Sequence, residues 1–568
     1  MKASYVRTLT RHIHVYQSKN LSKEFLNVVQ CHDLLQSLGF IKQTQSGLVH
    51  WLPLGLRTLN KISNVIKKHI EQNGMAQEVS LSLLSPKLLW ESTGRWKNGE
   101  LFKLKDSKGS DFCLAPTCEE EITTLIGSYI SSHKDLPLTV YQIGRKYRDE
   151  KRPRGGLLRG REFLMKDAYS FDKSKQEAME TFGRMNETYD LIFKDLRVPF
   201  VSAWADSGDI GGDMSKEYHF MHETGEDTVL KCSSCGHVSN VEKCSSYPEE
   251  TNQHNGDVNV RYALNIERDT LICLYYPHNR TLNWNLVLDA LDHDVDSTLV
   301  GESNEKVLDL FHAGKNEDDM MFSSVVRIMD CRLNSRSNYP DFPLKQYLKN
   351  NFSQLDDVTL VDAEENELCG ACEEGKLSGA RSIEVGHTFY LGQKYSKPLK
   401  AKFTAKDNTE QFCEMGCYGI GVSRLVGAIA QVTRDEMGLR WPRVIAPYEI
   451  SVCSAKQDNL CEQVEGLLQA WKSETWVNRD DKSNLGRKIA TSHSLGIPIC
   501  VIVGKREWPH VEFEVRAPFM GDSWRGALQE KGESWDWTCE SAGSEHVQRH
   551  KVHKDHLKDV VGVILTDM

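Results

Sequence analysis

The sequence predicts an α+β chain of several domains, and three observations carry that reading. Two apolar, strand-like runs, PLTVYQIGRKYRDE and REFLMKDAYSFD, flank a loop crowded with arginine and glycine, which reads as an antiparallel sheet built on a hairpin. Residues 224–377 change texture. They are rich in Asn, Asp and Ser with weak periodicity, and CSSC near one end and CGAC near the other mark an inserted α+β domain whose chain leaves and returns at neighbouring points. From residue 447 short strands and helices alternate, as in a small α/β domain with a mixed sheet. The length of 568 residues also exceeds what one hydrophobic core organises.

The elements follow in chain order. Residues 1–23 hold Lys2, Arg7, Arg11, Lys19 and Lys23 and no acid, which resembles an organellar transit peptide and sets residues 1–28 apart as an extension. From about residue 25 to 75 the pattern is helical, with Leu34, Leu35 and Leu38, then Leu56, Leu59, Ile62, Val65 and Ile66 at three- and four-residue intervals. After the hairpin comes an amphipathic helix opened by Ser174 and Glu177 in capping-box spacing. In the last domain YEISVCSA, NLCEQVEGLLQAWKSE, LGRKIATSHSLG, IPICVIVGK and HVEFEVRAP read strand, helix, helix, strand, strand. Leu460, Val464, Leu467, Leu468 and Trp471 share one face of the first of those helices. The stretch 519–550, with Trp524, Trp535 and Trp537, receives no assignment.

The charge distribution points to a ligand. The chain carries a formal net charge of -10, yet Gly144 to Arg161 hold Arg145, Lys146, Arg148, Lys151, Arg152, Arg154, Arg159 and Arg161 against Asp149 and Glu150. A solvated ion-paired face is balanced in sign. This run is lopsided and contains Gly155 and Gly156, so it reads as a loop facing phosphate. No window approaches the roughly 18–20 apolar residues of a membrane span, so no membrane partner is expected. The sixteen cysteines are expected as thiols or metal ligands and not as a disulfide framework.

Three constellations bear chemistry. Arg148 and Glu150 are two apart on a strand and project together, a guanidinium for phosphate beside a carboxylate that accepts from an amino group, or else an ion pair. GCYGIGVSR, residues 416–424, is a glycine-rich strand-to-helix junction with Arg424 a turn into the helix; it has neither dinucleotide nor P-loop spacing. Cys232, Cys235, Cys369 and Cys372 form two CxxC pairs, each with the spacing that tetrahedral zinc takes, or else buried unpaired thiols.

RWKNGELFKL, LAPTCEEEIT, YQIGRKYRDEKRPRGGLLRGREFLMKDAYSFD, ADSGDIGGDMSKEYHF, IEVGHTFYLGQKYS, MGCYGIGVSRLVGAIAQ and WPRVIAPYEI, in this order, resemble the bacterial-type prolyl-tRNA synthetases. The resemblance runs from about residue 30 to 516, apart from the middle of the insertion. It implies a class II synthetase catalytic core in two parts, 29–223 and 378–446. An inserted domain, 224–377, and a C-terminal anticodon-binding domain, 447–568, complete the chain. It implies ATP with Mg²⁺, proline and tRNA(Pro) as partners, a homodimer, and work in mitochondrial translation in the matrix, with the cytoplasm as the alternative. The proline usual in the first class II motif would fall near Ser82, so the dimer rests on fold analogy.

The resemblance also implies roles. Arg148 holds the α-phosphate of ATP, Glu150 the adenine amino group, and Phe163 stacks on adenine. Arg159 joins the ATP site, Arg424 takes the terminal phosphate, and Gly419 and Gly421 let the nucleotide lie against the strand. Thr117 and Glu119 receive the ammonium of proline, Arg148 also borders that pocket, and His387, Phe389 and Cys417 close around the ring, with Trp204 and Asp206 beside them. Arg152 and Arg154 meet the acceptor end of tRNA, and Glu512 and Arg516 meet anticodon bases. Relatives hydrolyse alanine mischarged onto tRNA in their insertion, and no position here matches those editing residues. The reaction needs no protein nucleophile, so the cysteines are read as non-catalytic.

Overall fold

The computed structural model describes residue 26 and residues 29–212, 214–249, 256–313, 322–334, 337–340, 343, 348–456, 459–471, 474–480, 483–541 and 546–568. The basic segment read as a transit peptide lies outside them. The described residues fall into two compact units. One draws on Met1–Phe200, Ile210–Asp213 and Val385–Met568, the other on Val201–Asp209 and Met214–Glu384.

In the first unit the strands Leu138–Tyr147 and Glu162–Asp172 pair antiparallel along their length, from Leu138 opposite Phe171 to Tyr147 opposite Glu162. Glu414–Gly421 adds antiparallel to the second of them, and residues 386–392 add to that strand in turn. The short Gln77–Glu78 closes the other edge in parallel. Period-two alternation gives this sheet two buried faces. One is covered by the helices Lys175–Asp195 and Val422–Thr433, with Pro53–Gln72 packed on both. The other carries Val140, Tyr169, Phe171, Phe389, Met415 and Cys417 in a core shared with Ile122 and Ile126 of the helix Glu119–Gly127.

Two local expectations change. The helical reading of residues 25–75 holds for Cys31–Ser37 and Pro53–Gln72, but between them Ile41–Gln45 and Leu48–Trp51 form a hairpin. Its turn needs a left-handed residue, supplied by Gly47 at φ 78°. Only half of the capping box at Ser174 forms. Its hydroxyl accepts from the Glu177 N–H at 3.3 Å, while the Glu177 carboxylate pairs with Lys173 at 3.4 Å.

The C-terminal part of this unit is a six-stranded mixed sheet. Thr475–Val477, Ile450–Ser454 and Ile499–Val503 run parallel, and His510–Val515, Gln548–His553 and Thr538–Ser541 continue antiparallel. Thr475–Val477 was not read from the sequence, being three residues long. The unassigned Trp-bearing stretch supplies the helix Ser523–Gln529 and the last edge strand, with Trp524 buried in the core. In the second unit Val258–Leu264 and Thr270–Pro277 pair antiparallel, and Ser324–Asp330 and Phe352–Val358 extend that sheet in parallel, flanked by the helices Trp284–Ala290 and Asn304–His312. Among the described residues no helix is long and apolar enough to cross a membrane.

Candidate active site

Register places six of the predicted site residues, Phe163, His387, Phe389, Cys417, Gly419 and Gly421, on one face of the first unit's sheet. Cross-strand neighbours share a face, and so do residues two apart along a strand. Phe389 pairs with Cys417, which pairs with Tyr169. The next row is His387, Gly419, Asp167 and Gln142, and beyond it Gly421, Met165 and Gly144. A further step reaches Phe163 and Lys146, and Arg148 stands just past the end of its strand. From Tyr169 to Phe163 the face runs about 20 Å at roughly 3.4 Å per residue. It is a slot with guanidiniums at one end and carboxylates at the other.

At the basic end, the Arg148 guanidinium lies 5.2 Å from the centre of the Phe163 ring, and its backbone N–H donates to Arg161 O at 2.9 Å. Arg424 begins the helix that follows Gly421, and its Nε donates to Leu158 O at 2.8 Å. The two arginines thus bracket one loop. Glu150 accepts from the backbone N–H of Arg152 at 3.0 Å and from Arg159 Nε at 2.6 Å. Burial works to raise its pKa, but these donors prevail and hold it below the ordinary carboxylate value. Arg152 and Arg154 are exposed on the loop. Gly156 is required there, since a β-carbon would fall 1.8 Å from His32 Nδ1 at a φ of +63°.

Between the ends the face carries glycines with room for a β-carbon. A β-carbon on Gly144 would meet nothing nearer than 3.8 Å, and on Gly419 nothing nearer than 3.9 Å. On the same face Lys146 and Asp167 form a buried ion pair at 2.8 Å. Asp167 also accepts from Gln142 at 3.0 Å and from the Tyr169 hydroxyl at 2.9 Å, and that hydroxyl accepts from the Cys118 N–H at 2.9 Å. The network ties the sheet to the turn that carries Thr117 and Glu119.

At the acidic end Glu119 is fully buried. Its carboxylate accepts from the Thr117 hydroxyl, from Arg95 at 3.0 Å, and from Cys417 Sγ at 3.2 Å. Burial raises and Arg95 lowers its pKa, with the net result that it stays below the ordinary value. Burial, reinforced by the neighbouring Glu119 charge, pushes the Cys417 thiol well up, so it stays protonated and is no nucleophile at neutral pH. His387 stacks on Phe389 with ring centres 3.8 Å apart at 24°.

The remaining predicted residues lie elsewhere. Trp204 and Asp206 belong to the second unit, where Lys216 lies 5.8 Å over the Trp204 ring and Asp206 accepts from the Gly208 N–H at 2.8 Å. Glu512 is half-exposed on the C-terminal sheet. Arg516 corrects its expectation. It is buried at 1% exposure and donates to Leu439 O at 2.6 Å and His493 O at 2.8 Å while pairing with Asp435, so its guanidinium faces the interior and not an exposed base. Conversely Arg95, Gln142, Lys146, Asp167 and Tyr169 were not singled out, although Asp167 and Tyr169 share the strand parity of Phe163.

In the second unit the sulfurs of Cys232, Cys235, Cys369 and Cys372 lie within 4.8 Å of one another, Cys232 and Cys372 at 3.6 Å. Backbone N–H groups of Ser234, His237 and Ala371 each donate to the sulfur two residues back at 3.4 Å.

Comparison with known proteins agrees with this geometry. Residues 102–433 match the tRNA synthetase class II core domain (G, H, P, S and T). A probable mitochondrial proline–tRNA ligase of Saccharomyces cerevisiae is 52% identical, covering 99% of each chain. A cytoplasmic proline–tRNA ligase of Candida albicans is 43% identical, covering 96% of each. A crystal structure of prolyl-tRNA synthetase from Cryptosporidium parvum complexed with L-proline and AMP matches with a TM-score of 0.57 at 13% identity, covering 97% of this chain and 78% of that one, and speaks for the fold. A class II core that fills more than half the chain, together with end-to-end likeness to proline–tRNA ligases, places this protein in the family of prolyl-tRNA synthetases, the ATP-dependent ligases that join proline to tRNA.

Proposed function

We propose that the slot holds ATP and proline end to end, and that the chain charges tRNA(Pro) there in mitochondrial translation. The arrangement that carries this reading is the single sheet face with Arg148 and Arg424 around one loop, Gly144, Gly419 and Gly421 between the ends, and, about 20 Å along the strands from Phe163, the row of Cys417 that meets Glu119. Adenine stacks on Phe163, and its amino group reaches Glu150 once the exposed Arg159 turns away to the phosphates. Arg148 takes the α-phosphate, and Arg424 the terminal one. The substrate ammonium sits at Thr117 and Glu119, a charge-assisted hydrogen bond, with His387, Phe389 and Cys417 around the ring.

The proline carboxylate attacks the α-phosphorus in line and pyrophosphate leaves. A terminal ribose hydroxyl of tRNA then attacks the acyl carbon and AMP leaves. Charge builds on nonbridging oxygens, where the guanidiniums stabilise it, and co-location of the reactants supplies much of the rest. Mg²⁺ that arrives with ATP neutralises phosphate charge. Arg152 and Arg154 are read as meeting the acceptor end and Glu512 the anticodon. Proline-dependent exchange of pyrophosphate into ATP, with alanine and threonine as controls, tests the reading. Exchange with proline is expected, and R148A and R424A should abolish it; exchange with threonine alone would sink it.

Location in the matrix draws on the basic, acid-free start and is read from subcellular fractionation of the full chain; recovery from the cytosol alone would reject it. A homodimer is supported by two exposed leucines near the class II motif 1 region, Leu84 at 47% and Leu88 at 78%; sedimentation equilibrium giving a monomer would reject it. The four clustered cysteines are read as a structural zinc site. Tetrahedral Zn–S bonds of about 2.3 Å put sulfurs about 3.8 Å apart, close to the spacing found, and the N–H donors suit thiolates.

A further inference from the structure

Glu119, Glu120 and Glu121 open one helix in succession, and the first two are buried with a single guanidinium between them. Arg95 Nη1 donates to Glu119 at 3.0 Å and to both oxygens of Glu120 at 3.1 and 3.0 Å, and Nη2 donates to the Thr117 hydroxyl at 3.2 Å. Its guanidinium lies 4.8 Å from the Trp90 ring centre and 5.6 Å from that of Tyr395, so the aromatic rings fix its plane. Gly94, in the left-handed region at φ 78°, turns the chain so that this side chain enters the interior.

We infer that Arg95 is a positioning residue for the proline pocket: it holds the Glu119 carboxylate ionised and aimed at Cys417, where the substrate ammonium is received. The inference rests on the reading of Glu119 given above. Two adjoining carboxylates in a dry site tend to share one proton. Arg95 supplies the cation that both share, and the other donors decide which one keeps its charge: Glu119 also accepts from Thr117 and Cys417, whereas Glu120 accepts besides from Thr93 at 2.8 Å. Burial pushes Glu120 up to about 7 despite the same arginine. The oxygen of Glu119 turned toward Cys417 is held by a thiol, a weak donor that a substrate N–H readily displaces. A lysine at 95 would give a point charge without the fork that reaches three acceptors.

The charged and titratable groups facing Glu119 are Arg95, Glu120 and Glu121 with Tyr395, then Lys146, Asp167 and Tyr169 from the hairpin and Cys417 from the third strand. Removing the Arg95 cation raises the pKa of the Glu119 carboxyl.

Steady-state exchange by the full chain tests this. R95Q should raise KM for proline by about tenfold or more with kcat and KM for ATP changed far less. It should also move the acid limb of kcat/KM for proline to higher pH. R95K should restore part of the loss, and R95Q/E119Q should be no worse than E119Q alone. Unchanged proline KM and acid limb in R95Q, parallel loss of ATP and proline binding, or additive losses in the double variant would each overturn the inference. If R95Q does not fold, R95K carries the same comparison. Should E119Q itself leave proline KM unchanged, it is the assignment of Glu119 that fails.

Discussion

Glycines 144 and 419 lie at ordinary backbone angles where an added β-carbon would make only ordinary van der Waals contacts, so neither torsion nor packing demands glycine. Gly in a strand costs roughly 0.5–1 kcal/mol relative to Ala, and the protein bears that cost on the one face where a ligand must lie flat. G419A is therefore expected to keep or slightly raise the melting temperature while KM for ATP rises about tenfold, the scale of 1.4 kcal/mol. An unchanged KM for ATP would mean that this face is not used. Short-range spacing marked Arg148, Glu150 and Arg424, and Phe163 came only with the resemblance; Arg148 and Glu150, expected to project together from a strand, lie past its end at Tyr147. Arg95 was not legible, since its partners stand 24 and 25 residues away and only the fold joins them.

Alternation and turn chemistry announced the central hairpin, and its two strands form at nearly the expected bounds. Short strands escaped because a few residues carry no period; Thr475–Val477 and the hairpin at 41–51 are of that kind. The Trp-bearing stretch became an edge of the C-terminal sheet because its aromatics pack around His550 on Gln548–His553. That imidazole lies 4.9 Å from Phe513 at 7°, and Nδ1 accepts from Trp537 Nε1 at 3.2 Å. A proton on Nδ1 would face the indole donor in a dry core, and burial accordingly lowers the pKa to about 3. The unfolded chain titrates near 6.5 and binds that proton first, so this contribution is whole above about pH 6.5 and shrinks as pH falls toward 3. Denaturation at pH 5.5 should show about 1.4 kcal/mol less stability from this residue than at neutral pH. H550F should remove that part of the slope; an H550F slope equal to that of the parent chain would show that His550 is charged in the fold.

At the scale of the whole molecule, the second unit raises the question of what fixes a long insertion whose ends must stay together. Cys232 ends the strand Asp227–Cys232, and Cys369 ends Leu368–Cys369, so the two pairs meet within the unit through strands they do not share. Spacing within each CxxC was readable, but the meeting of the pairs depends on every turn between them. Structural zinc contributes about 10–16 kcal/mol in small zinc peptides at neutral pH, which matches or exceeds the 5–15 kcal/mol net stability of a typical domain. Losing the ion should therefore unfold the cysteine-bearing part of the insertion before the rest. Metal analysis of protein purified without chelator is expected to give one zinc per chain. C235S should lower that ratio and bring an earlier thermal transition, and chelation of the parent protein should reproduce the transition and release fast-reacting thiols. Protein that contains no zinc when expressed with zinc in excess, and whose melting is indifferent to chelator, would mean that the cysteines hold the insertion by packing alone.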